Sequence, residues 1–253
     1  MNYTAPSWSE IFKYNQLHTF DDFWQLKLPT IDAGNYGRGG QSLVSRHLLN
    51  TPDGKEETVY IKRQQNYNCP SWRHPFIGIP TFEREFINWQ RFQQLGLGTY
   101  ELVYFAKRRE GKHQQAILIS RELQAIDLVT YLGDASQDKF PVTLFNRLEV
   151  THSIANTIRK MHDSGLLHGH LSPKHVFING LPGNIQSYII DMELMRKMPW
   201  KQKRTINDLV RFVKRMPTTS LVDRMRFFKH YLGVRKLTVE NKRLWRIMAK
   251  RAA

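Results

Sequence analysis

The sequence predicts an α+β chain in two lobes: a β-rich lobe over about residues 31–121, a hinge at about 122–126, and a mainly helical lobe over about 127–253. Three observations carry this. Alternating apolar and polar residues recur in SLVSRHLL, TVYIKRQ, TYELVYFAKRR and QQAILISREL, all before residue 124, with turn residues between them. From residue 142 onward apolar residues recur at three- and four-residue spacing, and Gly165 closes the first such run. A length of 253 residues with 41% hydrophobic composition supports a sizeable core, and no repeat or low-complexity tract interrupts it.

Taken in order, residues 1–30 read as a short mixed leader. IDAGNYGRGG (31–40) sets Gly34, Gly37, Gly39 and Gly40 ahead of the first strand, TPDGKEE is a turn, and TVYIKRQ is a second strand. The result is a glycine-rich hairpin followed by a strand that carries Lys62. TFEREFINWQRFQQLGLG (81–98) is a helix, with Phe82, Phe86, Trp89 and Gln93 on one face, Thr81 as its N-cap and Gly96 as its stop. Two strands then flank the turn EGKH. VTLFNRLEVTHSIANTIRKMHDSG (142–165) is a long helix. LLHGHLSPKHVFING is a loop around Pro173 running into a short strand, and SYIIDMELMR (187–196) gives another strand, ending at Asp191. TINDLVRFVKRM, SLVDRMRFFKHYLG and TVENKRLWRIMAKRA are helical by pattern.

Lys and Arg outnumber Asp and Glu by 38 to 22, and the formal charge of +16 attracts polyanions. The excess concentrates after residue 195. Phosphorylated lipid headgroups and nucleotides fit this field; nucleic acid is not expected, because no nucleic-acid-binding motif accompanies the charge. No run approaches the ~18 apolar residues of a membrane span. The start MNYTAPSWSEIFKYNQ lacks the basic and apolar regions of a secretory signal, and the lone Cys69 has no disulfide partner, so a cytoplasmic location is expected.

The stretch HGHLSPKHVFI (168–178) packs three His into eight residues of a chain that has ten. His168 and His170 alternate along an extended loop, His175 lies beyond Pro173, and the spacing does not match a zinc motif. Elsewhere the glycines could let backbone N–H groups approach phosphate, or could simply make a turn. Lys62 either sits among strand residues that face a core, where it needs an anion that Glu83 or Glu85 on the following helix could provide, or is an edge-strand Lys in water. Asp191 ends an apolar strand, where a carboxylate faces a ligand crevice or caps the next turn.

The order of glycine-rich hairpin, strand Lys, helix Glu, HGHLSPKHVFI and IIDMELMR resembles the protein-kinase-like fold over about residues 31–215. More specifically, RGGQSLV, HGHLSPKHVFI and IDMELMR resemble the lipopolysaccharide kinase (InaA / WaaP / Kdo kinase) family. The resemblance implies an ATP-dependent phosphotransferase acting on a sugar hydroxyl of a lipopolysaccharide core, with Mg2+, at the cytoplasmic face of the inner membrane. It implies phosphate and adenine contacts at Gly37, Gly39, Gly40, Lys62, Glu85, Glu122 and Leu123. Asp191 and His175 fall at the metal positions, and Lys174 falls where a cation would lie near the transferred phosphate. Asp208 falls where an Asp braces the loop. In the ordinary loop pattern His170 occupies the place of the catalytic Asp and Gly169 that of Arg. That departure makes His170 the expected proton acceptor, and it opens the alternative of a non-catalytic nucleotide-binding module.

Overall fold

The computed structural model describes residues 2–31, 33–37, 39–71, 76–133, 144–216 and 219–252. The chain divides into two compact units, Met1–Gln90 with Tyr100–Leu123, and Arg91–Thr99 with Gln124–Ala253.

The first unit is built on a six-stranded antiparallel sheet. Its strands are β1 (Asn2–Thr4), β2 (Asn35–Gly37), β3 (Gly40–Asn50), β4 (Glu56–Gln65), β7 (Leu102–Glu110) and β8 (His113–Arg121), in the spatial order β1-β7-β8-β4-β3-β2. Between β4 and the helix that follows, β5 (Asn68–Cys69) and β6 (Ile79–Pro80) form a two-stranded pair of their own. In register, Lys62 on β4 lies opposite Val44 on β3 and Leu118 on β8.

The expected leader is instead part of this unit's core. β1 pairs with β7, Tyr3 opposite Phe105. The helices α1 (Ser9–Tyr14) and α2 (Phe20–Gln25) carry Phe12 and Phe23 onto Leu49, Val59, Ile61, Ile117 and Ile119, with Trp8 and Leu17 beside them. Thr19 and Asp22 form a reciprocal capping box that starts α2. Each large apolar side chain buried this way contributes about 1.5–3 kcal/mol. The short helices have too few turns to show clear periodicity, which is why the stretch read as a leader.

The helix α3 (Thr81–Gln94) follows β6. Thr81 is not its cap: the Gln64 side-chain oxygen, brought from β4, accepts from the Phe82 N–H at 2.9 Å and from the Thr81 hydroxyl at 2.8 Å. A buried amide from another element thus meets the orphan donor of the first turn. Gly96, at φ +60°, ends the turn after α3 as expected.

The second unit is mainly helical: α4 (Leu128–Leu132), α5 (Leu144–Asp163), α6 (Lys201–Lys214), α7 (Leu221–Leu232) and α8 (Val239–Ala252). Residues 142 and 143, where α5 was expected to begin, lie outside the described residues. α6 starts four residues before the expected TINDLVRFVKRM. A small sheet orders β12 (Gln186–Ile189), β11 (Val176–Asn179) and β9 (Ile126–Asp127), and β10 (Leu166–Leu167) pairs with β13 (Arg196–Lys197). The strand expected to end at Asp191 is β12, which stops at Ile189; Asp191 itself adopts φ 62°, ψ 58°, a left-handed conformation that no strand contains, and a 3-10 turn (Met192–Leu194) follows.

Candidate functional site

In the first unit, Lys62 Nζ lies 2.7 Å from Glu85 Oε1, and the two side chains are 19% and 1% exposed. The Tyr100 hydroxyl donates to the same oxygen at 2.8 Å. Of the two carboxylates left open by the sequence, Glu85 is the partner. Glu83 instead pairs with Lys107 at 2.5 Å. Glu85 lies one turn past Phe82 on the buried face, whereas Glu83 is displaced around the helix toward β7. Tyr100 carried no sequence signal, because it sits in a connection whose partner is 15 residues upstream.

The three glycines of the β2–β3 hairpin have different reasons to be there. Gly39 has φ +79°, the left-handed conformation a tight turn asks for. A Cβ at Gly40 would collide with the Gln65 carbonyl oxygen, so this position serves the close approach of β3 to β4. Gly37 has no such need, since a Cβ there meets only Tyr67 at 3.9 Å. At the other end of the unit, the Glu122 N–H donates to the Thr58 carbonyl at 2.8 Å. Its carboxylate accepts from Arg46 and from the Tyr60 hydroxyl, each at 3.0 Å, and the Arg46 hydrogen bond above all holds the carboxyl below its usual range. Leu123 follows it, half-buried, at the end of the unit.

In the second unit the loop after β10 is gripped from below by Asp208 on α6. Asp208 accepts from the His168 N–H at 2.7 Å, the Gly169 N–H at 2.9 Å and His162 Nε2 at 3.0 Å. Burial alone would raise this carboxyl; the His162 hydrogen bond and neighbouring imidazoles outweigh it and hold it below its usual range. His162 passes the network on to the Tyr231 hydroxyl at 2.8 Å, which meets Thr205 Oγ1 at 2.8 Å. The Arg211 guanidinium also donates to the Gly169 carbonyl. Gly169 has φ +81°, so the place expected to hold Arg in the ordinary pattern needs a residue free to turn. The sequence pointed to Asp208 but not to His162, Tyr231 or Arg211.

The three loop histidines separate by their second nitrogen. His168 Nδ1 accepts from the His170 N–H at 3.3 Å, and Nε2 donates to the Ile190 carbonyl at 3.0 Å, so both nitrogens serve the loop itself. Burial pushes this ring's pKa down. His175 Nδ1 donates to the His170 carbonyl at 3.0 Å, and its Nε2 lies 3.3 Å from Asp191 Oδ2. Burial pushes the His175 imidazole down to about 4, so it is uncharged at neutral pH. His170 Nδ1 lies 3.5 Å from the same Asp191 oxygen. The Asp191 side chain makes no capping bond to the turn it opens, so the N-cap reading fails and the carboxylate faces the two imidazoles. Lys174 sits on the 3-10 turn Pro173–His175 with its side chain exposed.

His170, His175 and Asp191 each place one ligand atom within 4.8 Å of the others. This donor set of two imidazoles and one carboxylate departs from the oxygen environment that Mg2+ takes.

Comparison with known proteins bears on the family and the fold. No curated protein sequence matches the chain significantly. Among solved structures, the chain is similar to WaaP, solved in complex with acyl carrier protein, at 16% identity and a TM-score of 0.69, covering 100% of this chain and 98% of that one. At that identity the likeness concerns the fold, which is the kinase-like α+β fold in two units. The family model described as the lipopolysaccharide kinase (Kdo/WaaP) family matches residues 21–231, and the chain belongs to that family.

Proposed function

We propose that the chain transfers the terminal phosphate of ATP to a sugar hydroxyl of a lipopolysaccharide core, working peripherally at the cytoplasmic face of the inner membrane. The observation that carries this reading is the buried Lys62–Glu85 pair at 2.7 Å. In phosphotransferases of this fold a strand Lys, aimed by a helix Glu, holds the nucleotide phosphates. Tyr100 fixes Glu85 from a second direction, so the ammonium group is aimed rather than mobile. Gly37, Gly39 and Gly40 give the hairpin backbone access to phosphate oxygens, and Glu122 and Leu123 offer backbone groups to adenine. Lys174, exposed on its turn, is a cation for the transferred phosphate. The basic second half suits a phosphorylated acceptor near an anionic membrane surface; among the described residues, no helix is long and apolar enough to cross a membrane.

A second reading is favoured by one observation: the loop His168–His175 contains no carboxylate. Phosphoryl transfer passes through a loose transition state that asks for positioning more than proton abstraction. Loss of a general base costs ~10²–10⁴ in rate, so the missing carboxylate slows the reaction without abolishing it. The competing account is a module that binds nucleotide without turnover. Incubating the protein with γ-labelled ATP, a divalent cation and lipopolysaccharide core tests both. Label in the core, lost in Lys62→Met and Asp191→Ala, supports the kinase. ATP binding that depends on Lys62, with no label transferred under any cation, supports the module.

A further inference from the structure

The geometry points to His170, His175 and Asp191 as the three protein ligands of a first-row transition-metal dication, with Co2+, Mn2+ and Zn2+ preferred over Mg2+. His170 is then a metal ligand, not the group that takes the acceptor's proton.

The distances fit one ion. Donors about 2.1 Å from a tetrahedral metal stand about 3.4 Å apart. Asp191 Oδ2 is 3.3 Å from His175 Nε2 and 3.5 Å from His170 Nδ1, and the three ligand atoms lie within 4.8 Å of one another.

The hydrogen bonds orient one of the rings. A backbone carbonyl can only accept, so the His175 Nδ1 beside the His170 carbonyl carries a proton. Nε2 is then the His175 atom turned toward the Asp191 carboxylate oxygen, 3.3 Å away, the separation that two donors to one ion take. An imidazole that donates one nitrogen to a backbone carbonyl and offers the other to the site is also the usual arrangement of a metal-ligating His. His168 shows the contrast, because both of its nitrogens are spent within the loop.

Two further features concern the ligand set. Asp191 holds a left-handed backbone that residues other than Gly seldom adopt, and its side chain does not use that conformation to cap the following turn. The conformation is used to present the carboxylate to the imidazoles. Two imidazole nitrogens with one carboxylate form the triad that leaves metal positions open, and imidazole favours transition metals where Mg2+ favours oxygen. The side chains of His170 and Asp191 are 35% and 27% exposed, so one side of the site is accessible to further oxygen ligands.

The test uses chelator-treated, metal-free protein with no nucleotide, so its outcome is independent of whether phosphate is transferred. Co2+ is titrated while its visible absorption is followed, and Mg2+ is competed against it. One equivalent of Co2+ is expected, bound at least ~100-fold tighter than Mg2+. His170→Ala and His175→Ala should each weaken Co2+ by at least ~10-fold, the loss that removing even an outer partner of a metal site produces. His152→Ala, which alters the separate His152–His230 ring pair instead, should leave it unchanged. His170→Asp replaces a nitrogen donor by oxygen and should reduce the Co2+ preference over Mg2+ by ~10-fold with far-UV dichroism unaltered; it covers the case in which His170→Ala does not fold. Unchanged Co2+ affinity in folded His170→Ala or an unchanged preference in His170→Asp would overturn the assignment. So would loss of Co2+ in His152→Ala.

Discussion

The Lys62–Glu85 pair allows a quantitative test. Removing one member of a buried ion pair typically costs about 3–5 kcal/mol, because the survivor stays desolvated without compensation. The two ends differ here. Lys62→Met leaves the Glu85 carboxylate, 1% exposed, with the Tyr100 hydroxyl as a donor to Oε1, while Oε2 is buried with no hydrogen-bond partner among the described residues. That puts the cost near the top of the range, about 5 kcal/mol. Glu85→Gln keeps an acceptor for Tyr100 and strands an ammonium that is 19% exposed and lies 5.9 and 5.8 Å from the Phe82 and Tyr100 ring centres. Partial hydration and the ring faces offset part of the penalty, leaving about 2–3 kcal/mol. The double variant buries no charge and still satisfies Tyr100, so it should be more stable than Lys62→Met alone, with a coupling of about 3 kcal/mol. Urea unfolding followed by far-UV dichroism measures all four proteins, and an unchanged m-value shows that native stability is what moved. Additivity within ~0.5 kcal/mol would refute the account of a desolvated, mutually compensating pair.

Other outcomes follow from the same geometry. Asp208→Ala orphans the His168 and Gly169 N–H groups and His162 Nε2, and should cost at least about 3 kcal/mol in the same urea assay; a loss under ~1 kcal/mol would show that the brace is dispensable. Gly40→Ala should destabilise more than Gly37→Ala, by about 2 kcal/mol, since only the former meets backbone; equal effects in thermal unfolding would contradict this packing. Burial lowers the pKa of His47, and burial with the nearby His152 lowers that of His230. The unfolded chain then binds more protons than the native one just below pH ~6.5, so stability is complete above that value and falls as pH drops toward the folded pKa values. The melting temperature should decline from pH 7.5 to 5.5, and His47→Gln with His230→Gln should flatten that slope; an unchanged slope would discount both residues.

What was legible in the sequence follows the range of the forces involved. Strands with clear alternation and helices of three or more turns announce themselves locally, so β3, β4, β7, β8 and the long helices were expected close to where they stand. Lys62 and Asp191 were legible because a charge inside an apolar pattern demands a partner, and Asp208 through the family resemblance alone. The partners were harder. Tyr100 on Glu85, Gln64 on the first turn of α3, and His162 and Tyr231 behind Asp208 all act across tertiary contacts and leave no spacing signature. The first 30 residues were misread for a related reason: α1 and α2 span six residues each, and only the sheet beneath them makes Trp8, Phe12 and Phe23 core.

The histidine-rich loop shows how residue type alone can mislead. Alternation along an extended segment sends His168 and His170 to opposite sides, and Pro173 carries His175 away, which on sequence argues against a zinc site shared by the three rings. The backbone brings two of the three together. Gly169 at φ +81°, pinned through its N–H by Asp208 and through its carbonyl by Arg211, turns the chain between the first two rings. The 3-10 turn after Pro173 folds His175 back so that its Nδ1 reaches the His170 carbonyl. One hydrogen bond thereby orients the His175 ring and sets its tautomer, while the left-handed Asp191 supplies the carboxylate from another strand end. Imidazole at position 170 is therefore read best through what its neighbours hold in place. It stands 3.5 Å from a carboxylate that His175 Nε2 also faces at 3.3 Å. In the cation site proposed above, a ring in that position adds a nitrogen ligand rather than taking a proton from an acceptor hydroxyl.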